Sequence, residues 1–280
     1  MSINKKSLNI ENHFIKNGYY IFDANKEGLN SIKNLRKKIL NYTLKKYPTI
    51  KEKFKNESLV FEKMHSFIPK KNLNEFRLQI VNIINNDKNF SDNYYLAAKE
   101  GLDFLVGNEI AMQKKLNFSV QMPNDKDSRL PMHSDIYAGE SPFEVVVWIP
   151  LMNVQNSSHA MFITNPKHNK IINGEVTYSS NTTIDKIYKK HKKKFKFIKI
   201  NFGQILIFSP ILLHGNIVNK TDITRVSLNC RFKSLLSPFD VFSKTHRNIP
   251  HFFRPLTTKA LTKVGFNFIN SVERKSEKKK

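Results

Sequence analysis

The sequence predicts an α+β protein in which a helical first part packs against an antiparallel β sandwich or barrel. Three observations carry this. Apolar residues recur at three- and four-residue steps through roughly the first 110 positions. After about Lys114 the period changes to strand-like alternation. The strand-like segments are short and separated by turn residues, as in antiparallel sandwiches and barrels. No linker divides the two parts, and helices followed by strands is the order of a single α+β unit. The domain is placed over 1–270, with a helical part at about 1–113 and a strand core at about 114–240. The charged tail, 271–280, is expected to be disordered.

The elements follow in order. A short helix after Ser7 stops at Gly18, and Tyr19, Tyr20, Ile21 and Phe22 form a dense strand-like run. Leu29, Ile32, Leu35, Ile39, Leu40 and Leu44 line one face of a helix that Pro48 ends. Leu73, Phe76, Ile80 and Ile84 repeat the pattern, and a third helix runs over about 92–105. Strands are expected at 116–122, 143–152, 158–164, 195–200, 204–210 and 225–233. The insert 169–194 carries one short helix around Ile184, Ile187 and Tyr188, and otherwise reads as a solvated connecting loop. Its lysine run, 189–194, gives the competing reading of an anion-facing lid.

Composition narrows the function classes. The chain of 280 residues has one cysteine, Cys230, which excludes an internal disulfide framework and a cysteine-based zinc site. No apolar run reaches the ~20 residues of a spanning helix, and the polar N-terminus does not read as a signal peptide. A cytoplasmic location is expected. The net charge of +24 favours an anionic partner: a phosphate-bearing substrate, nucleic acid or an anionic membrane surface. Lysine, asparagine and isoleucine enrichment supplies the competing explanation, that much of this charge is compositional background on solvated faces.

The chemistry centres on Leu130-Pro131-Met132-His133-Ser134-Asp135. On a strand, His133 and Asp135 share a face. A further histidine, His214, follows an apolar strand, and two histidines with one carboxylate make the set that holds non-haem Fe(II) with positions left open. Arg225 stands eleven residues after His214, with Ser227 on the same face of its strand. A guanidinium beside a hydroxyl suits the far carboxylate of a 2-oxo diacid whose other end chelates the metal. One position then remains for O2.

These residues resemble the His-x-Asp…His…Arg-x-Ser signature of the Fe(II)/2-oxoglutarate-dependent oxygenases. The stretch from Leu130 to Pro142 looks most like the phytanoyl-CoA dioxygenase branch, and within it the oxygenases of bacterial carbohydrate-biosynthesis clusters. The resemblance covers 121–233 well and the helical part loosely. It implies a double-stranded β-helix (jelly-roll, cupin-like) core, Fe(II) on His133, Asp135 and His214, and 2-oxoglutarate on Arg225 and Ser227. Gln121 is assigned to the cosubstrate side from its position on an alternating strand. Tyr137, Glu140 and Arg231 are the candidate substrate contacts. The retained Asp135 points to hydroxylation rather than halogenation. The implied substrate is a sugar, nucleotide sugar or glycan intermediate of surface polysaccharide synthesis, with nucleic acid not expected. Two alternatives stay open: a non-catalytic basic jelly-roll module binding nucleic acid or anionic membrane, and an oxygenase acting on a lipid or acyl-CoA.

Overall fold

The computed structural model describes residues 5–54, 56–176, 181–237 and 252–277. Helix α1 (Lys5–Asn17) leads into strand β1 (Tyr19–Asp23). Helix α2 (Lys26–Lys46) is capped by the Asn25 side chain, which accepts from the Gly28 backbone N–H, and it buries Ile32, Leu35, Ile39 and Leu40. Short helices α3 (Ile50–Lys53) and α4 (Glu57–Glu62) follow. Helix α5 (Leu73–Asn85) buries Leu73, Phe76, Ile80 and Ile84, as its spacing requires. Helix α6 (Lys88–Leu105) starts four residues before the expected position 92, because Asp87 caps it by accepting from the Phe90 N–H.

The strands after β1 are β2 (Ile110–Gln113), β3 (Asn117–Gln121), β4 (Glu144–Pro150) and β5 (Met161–Ile163). Helices α7 (Pro166–Val176) and α8 (Asn181–His191) intervene before β6 (Lys196–Phe197) and β7 (Gln204–Phe208). Then come β8 (His214–Asn216), β9 (Arg225–Ser234), β10 (Phe253–Thr257) and helix α9 (Ala260–Glu277). The larger sheet has the order β1-β7-β4-β9-β2-β10, with β3 also pairing β9, and the smaller has β6-β5-β8. Every pairing is antiparallel. The larger sheet therefore recruits β1, β2 and β10 from outside the expected 114–240 core.

Side-chain alternation sorts the layers. On β9, Val226, Leu228, Cys230 and Phe232 enter one core with Ile32, Leu35, Phe76 and Tyr94 of the helices. On the other side of the large sheet, Val146 and Trp148 of β4 and Leu206 and Phe208 of β7 meet Met161 and Ile163 of the small sheet. Arg225, Ser227, Asn229, Arg231 and Lys233 alternate with the helix-side residues and so belong to this inter-sheet side. The result is an α+β arrangement with two facing antiparallel sheets.

The insert departs from the sequence reading. Instead of a solvated loop with one short helix, 166–176 and 181–191 form two helices, with 177–180 outside the described residues. Ile172, Val176, Ile184, Ile187 and Tyr188 pack on Phe162, Phe195 and Leu213. Each helix has few apolar positions, so each reads as polar until the outer face of the small sheet is there to be covered. At the C-terminus the backbone of α9 runs helically to Glu277, into the tail expected to be disordered. Among the described residues, no helix is long and apolar enough to cross a membrane.

Lys233 and Glu144, both with fully buried side chains, lie 3.6 Å apart, and the Lys233 ammonium sits 4.2 Å from the Phe253 ring centre. Burial is the main influence on Glu144 and pushes its carboxyl up. Removing one partner leaves the other charge buried without its counter-charge. Lys233→Met is expected to lower unfolding stability by about 3–5 kcal/mol, and adding Glu144→Gln to recover most of it. Urea unfolding of the single and double variants measures both.

Candidate metal centre

Three groups of the 130–135 and 214 segments converge on one point. His133, Asp135 and His214 place one ligand atom each within 4.8 Å of one another. His133 Nε2 is 3.4 Å and His214 Nε2 3.8 Å from the same oxygen, Asp135 Oδ1. The backbone makes this convergence. His133 and His214 exchange two backbone hydrogen bonds of 2.9 Å, forming an isolated antiparallel bridge, and the Asn216 N–H donates to Leu130 O at 2.9 Å. Gly215 permits the approach: a Cβ there would lie 2.8 Å from Leu130 O and 2.9 Å from Pro131 O.

The expectation that His133 and Asp135 share one strand face is corrected. Only His133 is in the bridge, while Asp135 opens a 3-10 turn, Asp135–Ala138. Ser134 makes the bend, its hydroxyl donating to Pro210 O at 2.9 Å while the Asp135 N–H donates to the same carbonyl at 3.1 Å. The two side chains still meet, through a turn rather than through strand alternation. Gly139, with φ of 91°, closes the turn in the left-handed region.

Each imidazole is oriented the same way. His133 Nδ1 lies 2.9 Å from Pro131 O and His214 Nδ1 lies 2.9 Å from Leu212 O. A carbonyl there requires the proton on Nδ1, which leaves the Nε2 lone pair facing Asp135 and available to a metal. Burial, with nearby His133 adding to it, pushes His214 down to about 4, so it is neutral at ordinary pH. For Asp135, burial pushes upward, but its neighbours His133, His214 and Arg231 outweigh it and hold the carboxyl well below the usual range. Arg231 anchors the far side of the carboxylate. Its guanidinium donates to Asp135 Oδ2 at 2.9 Å and lies 3.2 Å from Glu140. Two imidazoles with their Nε2 atoms turned toward one ionised carboxylate, each fixed from behind, are a donor set that fits Fe(II).

A cavity of about 310 Å³ opens on these ligands, lined among others by Arg225, Asn229, Trp148, Met161 and Phe208. Its volume is at the small end of small-molecule sites, about 300–1,000 Å³. Arg225 is buried without a counter-charge among the described residues. One nitrogen donates to His159 O at 3.0 Å, while its Nε has no partner. Burial pushes the guanidinium down to about 10. Ser227 Oγ, Asn229 Oδ1 and Gln121 Oε1 are likewise buried without partners. Such groups are costly unless a ligand completes them.

The sequence-derived candidates separate accordingly. His133, Asp135, His214, Arg225 and Arg231 all line the cavity. Ser227 and Gln121 sit on adjacent strands beside Arg225; the Gln121 amide donates to Ile217 O at 2.7 Å. Tyr137 is half exposed, Glu140 is buried against Arg231, and neither lines the cavity. Sequence reasoning left out Asn229, Arg77 and Arg129, all of which line it. Asn229 was legible, being the next same-face residue after Ser227 on β9. Arg77 and Arg129 carried no signal, because their approach to the cavity depends on how α5 and the 123–132 segment pack.

No family model matches the sequence, and no curated protein matches it. Similar solved structures include AviO1 from Streptomyces viridochromogenes, at 10% identity over 85% of this chain and 99% of that one, with a TM-score of 0.49. A structure of EctD from S. alaskensis with bound Fe is 12% identical over 83% and 77% of the two chains, with a TM-score of 0.47. HygX from Streptomyces hygroscopicus with nickel and 2-oxoglutarate bound is 9% identical over 84% and 88%, with a TM-score of 0.45.

Proposed function

We propose that this chain is an Fe(II)- and 2-oxoglutarate-dependent oxygenase that hydroxylates a small molecule. The carrying observation is that one cavity joins a two-histidine, one-carboxylate set to a buried guanidinium lacking a counter-charge. The first suits a metal, and the second suits the far carboxylate of a diacid. Fe(II) with 2-oxoglutarate and O2 supplies hydroxylation of a C–H bond, with 2-oxoglutarate leaving as succinate and CO2.

The chain's own residues bind, orient and shield. His133, Asp135 and His214 hold the metal, and the Pro131 and Leu212 carbonyls keep both rings turned toward it. Arg231 occupies Asp135 Oδ2 and leaves Oδ1 between the two histidines. Arg225 and Ser227 take the far carboxylate, with Gln121 beside them. Trp148, Met161 and Phe208 form an apolar wall that limits water around the reacting centre. The sugar, nucleotide-sugar or glycan substrate rests on the sequence resemblance, and the cytoplasmic setting on cysteine usage and the polar N-terminal composition.

The test is anaerobic visible absorption of the protein with Fe(II) and 2-oxoglutarate, beside a His133→Ala control. A metal-to-ligand charge-transfer band in the wild type, absent from the control, is expected. No band in folded, iron-loaded wild-type protein overturns the reading.

A further inference from the structure

The cavity holds one cation that neither the metal ligands nor the cosubstrate accounts for. Charged groups on its wall other than the metal ligands are Arg77, Asp127, Arg129, Arg225 and Arg231. Most are matched. Arg231 pairs with Asp135 and Glu140, Arg129 makes a two-point pair with Asp185 of α8, and Asp127 pairs with Lys70 at 2.8 Å. Arg225 and Arg77 have no counter-charge among the described residues.

Arg77 is placed firmly. It follows Phe76 on α5, and Phe76 packs on Phe118 of β3 with ring centres 6.4 Å apart. Strand β3 pairs only with β9 among the described strands, and β3 residues Ser119 and Val120 line the cavity beside Arg77. The side chain is half-buried, and its Nε is fully covered without a hydrogen-bond partner. A half-buried guanidinium that lines a cavity, with one nitrogen cut off from water and no counter-charge beside it, is a seat for an anion.

The two carboxylates of 2-oxoglutarate are already assigned, one to the metal and one to Arg225. We propose that the primary substrate is itself an oxyanion, a phosphate- or carboxylate-bearing small molecule, and that Arg77 seats its anionic group in this cavity. The inference rests on the oxygenase reading and adds the substrate's charge class and the residue that recognises it. The matched state of Arg129 and Arg231 singles out Arg77 for the role.

The test titrates the full chain, loaded anaerobically with Fe(II) and saturated with 2-oxoglutarate, by calorimetry. The probes are glucose 1-phosphate, glucuronate and, as the uncharged control, glucose. One of the two anionic probes is expected to bind, and which one distinguishes phosphate from carboxylate. Arg77→Gln should weaken that probe by about tenfold or more, the scale of one charge-assisted contact. Arg77→Lys should recover part of the loss, and Lys193→Gln, in the exposed lysine run, should change nothing. The 2-oxoglutarate titration should be unaffected by Arg77→Gln and weakened by Arg225→Gln.

Several results overturn the proposal: neither anionic probe binds the wild type, glucose binds as well as they do, or Arg77→Gln leaves the affinity unchanged. Equal losses in Arg77→Gln and Lys193→Gln would mean diffuse surface charge. A loss of 2-oxoglutarate rather than probe would move Arg77 to the cosubstrate. If the wild type takes no 2-oxoglutarate while probe binding still depends on Arg77, the oxygenase reading has failed and the substrate assignment falls with it, leaving only an anion seat.

Discussion

Asp135→Ala is expected to weaken Fe(II) binding by more than about 100-fold, beyond the 10–100-fold typical of losing a group that merely supports a ligand. Asp135 is the point on which the site closes: both imidazole Nε2 atoms approach its Oδ1, and Arg231 holds its Oδ2. Without the carboxylate, the two imidazoles face a dication with no compensating charge, and the Arg231 guanidinium stays beside them. The fold should survive, because Arg231 keeps Glu140 and the His133–His214 bridge is made by backbone. Anaerobic calorimetry with Fe(II), with circular dichroism to check folding, measures this. Near-wild-type affinity would mean that Asp135 is not a ligand.

Arg225→Met separates binding from stability. Among the described residues the guanidinium is buried, lacks a counter-charge, and meets His159 O and the Trp148 ring 5.8 Å away. Its charged form is disfavoured by burial, so the fold holds it at a cost. A methionine of similar length should therefore leave the apoprotein as stable as the wild type or raise its Tm. The same change removes charge-assisted hydrogen bonds worth about 1.5–3 kcal/mol each, so the Kd for 2-oxoglutarate should rise by about 100-fold or more. Thermal unfolding displays both effects. At a thousandfold excess over the wild-type Kd, 2-oxoglutarate stabilises a binding-competent protein by about 4 kcal/mol, and a variant with a Kd raised about 100-fold should gain no more than about 1.4 kcal/mol. A Tm fall without ligand, or an unchanged ligand response, would argue against a cosubstrate role for Arg225.

Legibility in the sequence followed the range of the interaction. Helix α2 could be read because its buried residues repeat at helical spacing within one segment, and Pro48 follows its end. Arg225 and Ser227 could be placed together because strand period fixes which residues share a face on β9. The three candidate metal ligands were recognisable as chemical types in a familiar order. The strand geometry expected for His133 and Asp135 was not what joins them, because the bend at Ser134 is made by contacts to Pro210.

What the sequence by itself determined is therefore local: helix faces, strand faces and the identity of candidate ligands, all set by periodicity and side-chain chemistry over a few residues. Tertiary structure alone decided the rest. It brought Leu130–His133 onto β8 through Gly215, clamped Asp135 with Arg231 across 96 positions, and covered the small sheet with α7 and α8. It also carried Arg77 of α5 to the cavity wall. The physical reason is common to all four. Each depends on pairing or burying groups far apart in the chain, and a residue's own neighbours in sequence hold no record of which distant surface it will meet.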